Sequence, residues 1–265
     1  DINDKDICFS ALEKIDFVLH HAALGSVPRS ISDPFSSNEA NISGFLNMLI
    51  AARDSNIKNF IYASSSSAYG DHEALPKVED VIGKPKNPYS ITKYVNELYA
   101  NTFSEHYSFK SIGLRYFNVF GPRQRENGDY AAVIPKWIKN ILNNQDIEIY
   151  GDGETSRDFC YVDNAVQANI IAALSENEIA KGQVYNISVG NQTSLNKLLS
   201  MIHKNIENSI GKIIKIKPIY KDFRPGDIRH SRADISKAKN LLNYFPSHNV
   251  EQGIKETISW YIDKK

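Results

Sequence analysis

The stretch Phe-Ile-Tyr-Ala-Ser-Ser-Ser-Ser at residues 60–67 decides the fold. Its first half is an apolar, β-rich run, and its second half is four consecutive serines. A short apolar run of this kind is typical of a buried parallel strand. Polar side chains directly after such a strand lie at its carboxyl end, where open α/β sheets bind their ligands. The stretch therefore predicts a strand that brings hydroxyl groups to a binding site.

Strands and helices alternate on both sides of this stretch. Upstream, residues 15–19 predict a strand, and the apolar spacing across 41–53 predicts a helix. Downstream, an amphipathic helix is predicted over 89–107 and a third strand over 111–116. Alternation of this kind indicates an α/β fold with a parallel sheet and crossover helices.

The pattern becomes shorter and less regular beyond residue 121. A Gly-rich turn stands at 151–153, and strands are predicted at 184–189 and 213–220. The helical periods lie at 133–142, 163–174, 195–206 and 250–262. The second half of the chain therefore predicts a smaller α/β domain, and 265 residues suffice for two such domains.

Charge and hydropathy limit the partners of the protein. Its 31 Lys and Arg residues balance its 31 Asp and Glu residues, so no net charge draws it to nucleic acid or to an anionic membrane. The lysines of 212–221 alternate with apolar residues, as on a strand with one solvated face. No apolar run approaches the roughly 20 residues that span a bilayer, and no signal peptide opens the chain. We expect a soluble, cytoplasmic protein that binds neither nucleic acid nor membrane.

The two cysteines, Cys8 and Cys160, indicate no metal site. They are far apart, form no CxxC motif and have no histidine cluster nearby. We expect two buried thiols and no bound metal.

Tyr89 and Lys93 are the first candidate catalytic pair. Their spacing of four residues at the start of a helix puts both side chains on one face, one turn apart. Lowering the pKa of a tyrosine from about 10 to about 7 takes about 4 kcal/mol, which one ammonium about 4 Å away can supply. Such spacing also arises by chance in helices, and four serines can simply form a polar loop. Serines at a strand end followed by this helix are a more specific combination.

Three segments carry a family resemblance. They are Tyr-Ala-Ser-Ser-Ser-Ser-Ala-Tyr-Gly at 62–70, Pro-Tyr-x-x-x-Lys at 88–93, and Arg-Tyr-Phe-Asn-Val-Phe-Gly-Pro at 115–122. They resemble the extended short-chain dehydrogenase/reductases and, within them, the bacterial UDP-N-acetylglucosamine 4-epimerases of surface-polysaccharide synthesis. Segments 21–30, 151–159 and 224–227 support the same resemblance, which covers essentially the whole chain.

The resemblance implies a Rossmann-type, doubly wound parallel sheet with NAD as cofactor. Residues 1–120 would form the NAD-binding domain and 121–265 the nucleotide-sugar-binding domain, with roughly 158–190 returning to the first. Such proteins normally begin with a strand and a Gly-x-x-Gly-x-x-Gly turn for the pyrophosphate, and these 265 residues contain no such turn. Because the chain begins with Asp1 and not Met, we expect a fragment without its N-terminal βα units, and inactivity of that fragment alone is left open.

In the mechanism that the resemblance implies, Tyr89 moves the proton of the sugar O4, and Lys93 keeps the phenol acidic and holds the nicotinamide ribose. Ser65 aligns best with the family serine that hydrogen-bonds the reacting oxygen. Ser66 or Ser67 would share that task, Ser67 also as a substrate contact. Ala22 and Ala23 resemble the segment that lies against the cofactor.

The resemblance also implies a set of substrate-binding residues. Asn118 and two arginines would contact the diphosphate, an apolar segment would cover the uracil, Asp227 would bind the uridine ribose, and Ser231 would border C2 of the sugar. The arginines are Arg157 and Arg224, and the apolar segment is Ala132, Val133 and Trp137. The alternatives are an Asx-turn for Asn118, an ordinary buried helix for the apolar segment, and ion pairs with Asp158 or Asp227 for the arginines.

A small side chain at Ser231 favours acetamido sugars, because a larger one would block an N-acetyl group. Ser66, Ser67 and Ala68 stand where related dehydratases and decarboxylases carry an acid, which favours plain epimerisation. The predicted reaction is 4-epimerisation of UDP-GlcNAc and UDP-GalNAc through a 4-keto sugar. Another UDP-sugar, such as UDP-glucose or a UDP-uronic acid, and a pseudoenzyme that only binds ligand remain alternatives. We expect a homodimer formed by the helices at 41–53 and 89–107.

Overall fold

The computed structural model describes residues 1–126, 132–223 and 228–263 of the chain. The helices are α1 (Lys5–Ser10), α2 (Val27–Ser32), α3 (Pro34–Asn38), α4 (Gly44–Asp54), α5 (Pro88–Tyr107), α6 (Val133–Leu142), α7 (Val162–Ala173), α8 (Leu195–Ile210), α9 (Ser236–Leu242) and α10 (Val250–Asp263). The strands are β1 (Phe17–His20), β2 (Asn59–Ser65), β3 (Ile112–Tyr116), β4 (Asn118–Phe120), β5 (Ile147–Tyr150), β6 (Ser156–Arg157), β7 (Phe159–Tyr161), β8 (Val184–Ile187), β9 (Thr193–Ser194) and β10 (Pro218–Lys221). None of the described helices is both long and apolar enough to span a bilayer.

A four-stranded sheet joins the first three strands of the chain to β8 in the order β1-β2-β3-β8, and all of its pairings are parallel. Ala63 pairs with Leu114 and Ser65 with Tyr116, so the serines after Ala63 lie at the carboxyl end of a central strand. The α/β fold with a parallel sheet predicted from the sequence is confirmed.

The start of α5 is fixed by its own sequence. The side chain of Asn87 accepts the N–H of Ser90 at 2.9 Å, and the Ser90 side chain accepts the N–H of Asn87 at 3.2 Å. These two bonds form a capping box, and Pro88 occupies the first turn, where its missing N–H costs nothing. The cap places Tyr89 in the first turn of the helix.

The chain folds into two compact units. The first unit contains Asp1–Phe117, Val166–Ile187 and Asp234–Phe245. Its core lies between the sheet and helices α1, α4 and α5, with Phe45, Leu49 and Phe60 fully buried. The other face of β1 carries Phe17 and Leu19, which are 40% and 46% exposed.

The second unit contains Asn118–Ala165, Ser188–Ala233 and Pro246–Lys265. Its core packs α6, α8 and α10 around β5 and β7, with Ile138, Ile202 and Ile254 fully buried. The segment that returns to the first unit, Val166–Ile187, lies inside the expected range of roughly 158–190. The second segment that belongs to the first unit, 234–245, was not predicted from the sequence, because the short helix α9 lacks a long apolar period.

The predicted strand at 213–220 is shorter than expected and covers Pro218–Lys221. Its partner β5 has four residues and pairs with it from Ile147 to Tyr150. Because a strand needs a paired neighbour, the alternating residues before Pro218 form no ladder.

Candidate active site

The candidate catalytic residues of the first unit come from two adjoining elements, the carboxyl end of β2 and the first two turns of α5. Tyr89 is half-buried, and Lys93, one turn later, is 5% exposed. Ser65 is the last residue of β2, and Ser66 and Ser67 begin the 3₁₀ turn that follows; all three are half-buried. The structure thus brings the predicted phenol, ammonium and hydroxyls to one end of the sheet.

Ser65 connects the serine turn with the phenol. Its side chain acts on the Tyr89 phenol and lowers the pKa of that phenol. The Ser65 hydroxyl also donates to Ser67 Oγ at 3.0 Å and accepts the Ser67 N–H at 3.1 Å, which caps the 3₁₀ turn. Ser65 is therefore the serine that acts on the phenol, while Ser66 and Ser67 form the turn that Ser65 caps.

Lys93 is held beside the phenol. Its Nζ donates to the carbonyl oxygen of Ala63 at 2.8 Å and lies 6.0 Å from the centroid of the Tyr89 ring. Burial lowers the pKa of Lys93 to about 8. Burial also raises the pKa of Tyr89, and the Ser65 side chain offsets only part of that rise. Burial thus dominates the pKa of Tyr89 in this structure, and the expectation that Lys93 keeps the phenol acidic stays a prediction.

A cavity of about 580 Å³ opens beside the end of β1. Its wall includes His21, Ala22, Ala23 and Leu24. The two alanines present no atom beyond Cβ, so a flat ring can approach the backbone closely. The resemblance nominated Ala22 and Ala23, with Tyr89 and Lys93, for the cofactor; the two alanines lie in this wall, and the cofactor contact stays a prediction.

A buried charged cluster that sequence reasoning missed lies one turn beyond Lys93. Glu97 is 6% and Arg115 3% exposed, and Arg115 donates to both carboxylate oxygens of Glu97, at 2.8 and 2.6 Å. Ser64 donates its hydroxyl to the same carboxylate. The only signal in the sequence was the continued spacing of four residues through 89, 93 and 97.

Most substrate-binding residues nominated from the resemblance belong to the second unit. Asn118 begins β4 with an exposed side chain, and Ala132 and Val133 lie half-buried at the start of α6. Trp137 is 2% exposed within the core, and its Nε1 donates to the Glu148 carbonyl at 3.3 Å. Its burial matches the alternative of an ordinary packed helix.

Arg157 and Ser231 lie on neighbouring segments of the second unit. Arg157 donates from Nη1 to the carbonyl of Ser156 at 2.9 Å and to that of Arg229 at 3.4 Å. The N–H of Ser231 donates to the Ser156 carbonyl at 3.1 Å. Arg224 and Asp227 lie outside the described residues.

The buried carboxylate of Asp158 organises these segments. It accepts the Ser188 hydroxyl at 2.5 Å and the N–H groups of Val189 and Ala233 at 3.3 and 3.0 Å. Burial raises the pKa of Asp158 to about 6, although these donors lower it. Asp158 thereby fixes the backbone two residues beyond Ser231.

One group of side chains in the described ranges has the donors for a metal ion: Asp163, His248 and Glu256, with donor atoms within 4.8 Å of one another. His248 Nε2 lies 3.1 Å from Glu256 Oε1, and the Tyr161 hydroxyl donates to Glu256 Oε2 at 2.9 Å. Direct pairing within the chain thus accounts for His248 and Glu256.

Comparison with known proteins matches this geometry to one family. The sequence pattern of the NAD dependent epimerase/dehydratase family matches residues 1–188. The chain is 36% identical to a putative UDP-glucose 4-epimerase of Methanocaldococcus jannaschii, over 98% of this chain and 82% of that protein.

Two solved structures are similar throughout. A UDP-N-acetylglucosamine 4-epimerase from Methanobrevibacter ruminantium M1, in complex with UDP-N-acetylmuramic acid, superposes with a TM-score of 0.91 and 41% identity, covering 100% of this chain and 82% of that one. A UDP-glucuronic acid 4-epimerase from Bacillus cereus, in complex with UDP-glucuronic acid and NAD, gives a TM-score of 0.87 and 30% identity, covering 100% and 81%.

Proposed function

The chain belongs to the NAD dependent epimerase/dehydratase family, and we propose that it is an NAD-dependent 4-epimerase that interconverts UDP-GlcNAc and UDP-GalNAc. The observation that carries this proposal is the arrangement of Tyr89, Ser65 and Lys93 at the carboxyl end of β2. A phenol that lies beside a buried ammonium and is acted on by a neighbouring hydroxyl is suited to proton transfer at a carbinol oxygen.

When bound, NAD⁺ supplies the hydride acceptor for C4 of the sugar and a positive charge near the phenol. Tyr89, as the phenolate, takes the O4 proton while the C4–H bond breaks, which leaves a 4-keto sugar. After the sugar turns over, the C4–H bond forms again on the other face and Tyr89 returns the proton to O4. Electrons and protons balance, so the net reaction is an isomerisation.

The remaining residues of the site orient the phenol and polarise the reacting oxygen. Ser65 would turn its hydroxyl from Ser67 to the reacting oxygen, and its side chain acts on the Tyr89 phenol. Ser66 and Ser67 form the turn beside it, and Lys93, anchored on Ala63, adds positive charge near the phenol and a donor for the nicotinamide ribose. A preorganised cation costs less reorganisation during the reaction than one recruited from solvent.

Substrate binding is assigned to the second unit. Arg157 and Arg224 suit the diphosphate, because guanidinium forks bind phosphate oxygens in pairs. Asn118, Ala132, Val133 and Asp227 would contact the diphosphate and the uridine, whereas Trp137 packs in the core. Ser231 leaves room for the N-acetyl group, and the 41% identity to a UDP-N-acetylglucosamine 4-epimerase supports that choice. UDP-glucose and UDP-glucuronic acid are the alternative substrates, since proteins that act on them are also similar to this chain.

The proposal includes a homodimer through α4 and α5. The exposed face of α5 carries Ile91 and Leu98, which are 48% and 49% exposed. Apolar side chains of this size on one helix face support a helix-to-helix interface.

Calorimetric titration with NAD⁺ and with UDP tests the ligand binding that the proposal requires. Binding of UDP without NAD⁺ would favour a protein that only binds ligand.

Replacement of Tyr89 by Phe tests the catalytic assignment. We expect interconversion of UDP-GlcNAc and UDP-GalNAc to fall about 10³-fold or more, because the general acid and base is removed. Affinity for UDP, measured by calorimetry, should not change. Turnover of the variant at the wild-type rate would remove Tyr89 from the mechanism, and a preference for UDP-glucose or UDP-glucuronic acid in the same assay would replace the acetamido substrate.

A further inference from the structure

Three side chains on one stripe of α5 contact three consecutive residues of β2. Lys93 donates to the carbonyl of Ala63, Glu97 accepts the Ser64 hydroxyl, and the Ser65 side chain acts on the Tyr89 phenol. The spacing of four residues keeps the three helical side chains on one face. The stripe thus binds the end of β2 at every residue from 63 to 65.

Glu97 is the most firmly held member of this stripe. Arg115, on the neighbouring strand β3, binds both of its carboxylate oxygens and donates from Nη1 to the Glu79 carbonyl at 2.8 Å. Bidentate pairing fixes the plane of a carboxylate as well as its position. The oxygen that accepts from Ser64 is therefore immobilised by β3.

The direction of Ser65 depends on where Ser64 is held. Successive side chains of a strand point to opposite faces, so a rotation that moves Ser64 also moves Ser65. Ser64 is 3% exposed and bonded to Glu97, whereas Ser65 is half-buried at the site. Holding Ser64 in place consequently fixes the direction of the Ser65 side chain.

We propose that Glu97, clamped by Arg115, is a positioning residue that holds Ser64 and thereby sets the position of Ser65 relative to Tyr89. The proposal rests on the proposed epimerase function for its kinetic consequences only. The proposal adds Glu97 to Tyr89 and Lys93 as a third position of α5 on which the reaction depends. Glu97 acts through Ser64 and does not touch the substrate.

Within the described ranges, the charged and titratable groups beside Glu97 include Arg115 from β3 and the buried phenol of Tyr62 from β2. Glu79, Asp80 and Lys237 line the same cavity as Glu97. Arg115 in turn stacks on the Tyr69 ring at 4.7 Å. The clamp is thus separate from the Ser65–Tyr89 pair, and variants can alter one without deleting the other.

Two variants with a matched control test the proposal. Ser64→Ala removes the link between Glu97 and β2 and leaves the ion pair intact. Glu97→Gln keeps the shape of the side chain and removes its charge. Ser37→Ala is the control, because Ser37 is also a fully buried serine with one hydrogen bond, from Oγ to the Asp33 carbonyl at 3.0 Å.

We expect kcat to fall about tenfold in Ser64→Ala and up to about a hundredfold in Glu97→Gln, with KM for the UDP-sugar within about twofold of wild type. The ascending limb of the kcat profile should move to higher pH, since a misaimed Ser65 no longer lowers the pKa of Tyr89. Ser37→Ala should match the wild type in both measurements.

A readout without turnover separates this inference from the proposed function. In protein labelled with ¹³C at tyrosine Cζ, the Tyr89 signal, identified by its loss in Tyr89→Phe, should titrate at higher pH in Ser64→Ala than in wild type. An inactive wild type with this difference would overturn only the epimerase function. A folded Ser64→Ala with wild-type kcat, pH profile and Tyr89 titration would overturn the positioning role, even if Glu97→Gln failed to fold.

Discussion

Two successive turns of α5 each bury a charged side chain, but only the second turn pairs that charge with an opposite one. Lys93 is 5% exposed, and within the described ranges no carboxylate forms an ion pair with it; it donates to the Ala63 carbonyl. Glu97, four residues later, is 6% exposed and has a bidentate arginine and a serine. One turn leaves its charge uncompensated, and the next neutralises it completely.

Under the proposed function, the Lys93 turn would serve the chemistry and the Glu97 turn would serve the structure of the site. An uncompensated buried ammonium is costly, and its pKa falls to about 8 as a result. Natural proteins retain such a cost mainly where a ligand or a reaction uses the charge. A buried ion pair has no such free charge, so its role is to fix geometry.

The largest expected effect on stability comes from removing the counter-charge of Glu97. Arg115→Met leaves the Glu97 carboxylate buried without a counter-charge, and we expect the free energy of unfolding to fall by about 4 kcal/mol in urea denaturation. The double variant Arg115→Met, Glu97→Leu should recover most of that loss, because no charge then remains buried.

Lys58→Met is the control for this prediction. It breaks the surface pair between Lys58 and Asp16, whose side chains are 66% and 60% exposed. That change should cost about 0.5 kcal/mol or less. Equal losses for Arg115→Met and Lys58→Met would contradict the contrast between a buried and an exposed pair.

The buried ammonium of Lys93 should make the stability of the protein depend on pH. The pKa of Lys93 is about 8 in the folded chain and about 10.5 when unfolded, so between these values the unfolded state binds more protons. The free energy of unfolding of wild type, relative to Lys93→Met, should therefore rise by about 2.5 kcal/mol from pH 7 to pH 10. A flat difference across this range would mean that Lys93 is solvated or paired.

Asp158 provides a second comparison with Glu97, because its buried carboxylate is held by neutral donors and not by an arginine. Its pKa is raised to about 6 from its ordinary 3.8, so the folded state binds more protons between these values. Stability of wild type relative to Asp158→Asn should fall by about 1 kcal/mol as pH rises from 5 to 7. Thermal denaturation across this range measures it, and a difference that grows with pH would show that the carboxylate has an unseen cation.

Much of the fold was predictable because its signals are local. The periodicity of 133–142 gave α6 with both ends correct, and 89–107 gave α5 within one residue. The strand at 213–220 and the return of 234–245 to the first unit were not predictable, since both depend on partners distant in sequence.

The candidate site divides in the same way. The spacing of Tyr89 and Lys93 and the serines after β2 nominated the phenol, the ammonium and Ser65 directly from the chain. Glu97 and Arg115 escaped notice, because the bonds that define their roles join residues 18 and 33 positions apart. For Trp137, sequence left both uracil contact and core packing open, and the structure places it in the core.

By itself the sequence determined the order of strands and helices, the family resemblance and the identity of the groups able to transfer a proton. Only the tertiary structure decided which charges are neutralised and in which direction each pKa moves. The physical reason is that helical and strand periods are properties of neighbouring residues, whereas desolvation and ion pairing depend on what the folded chain packs around each group.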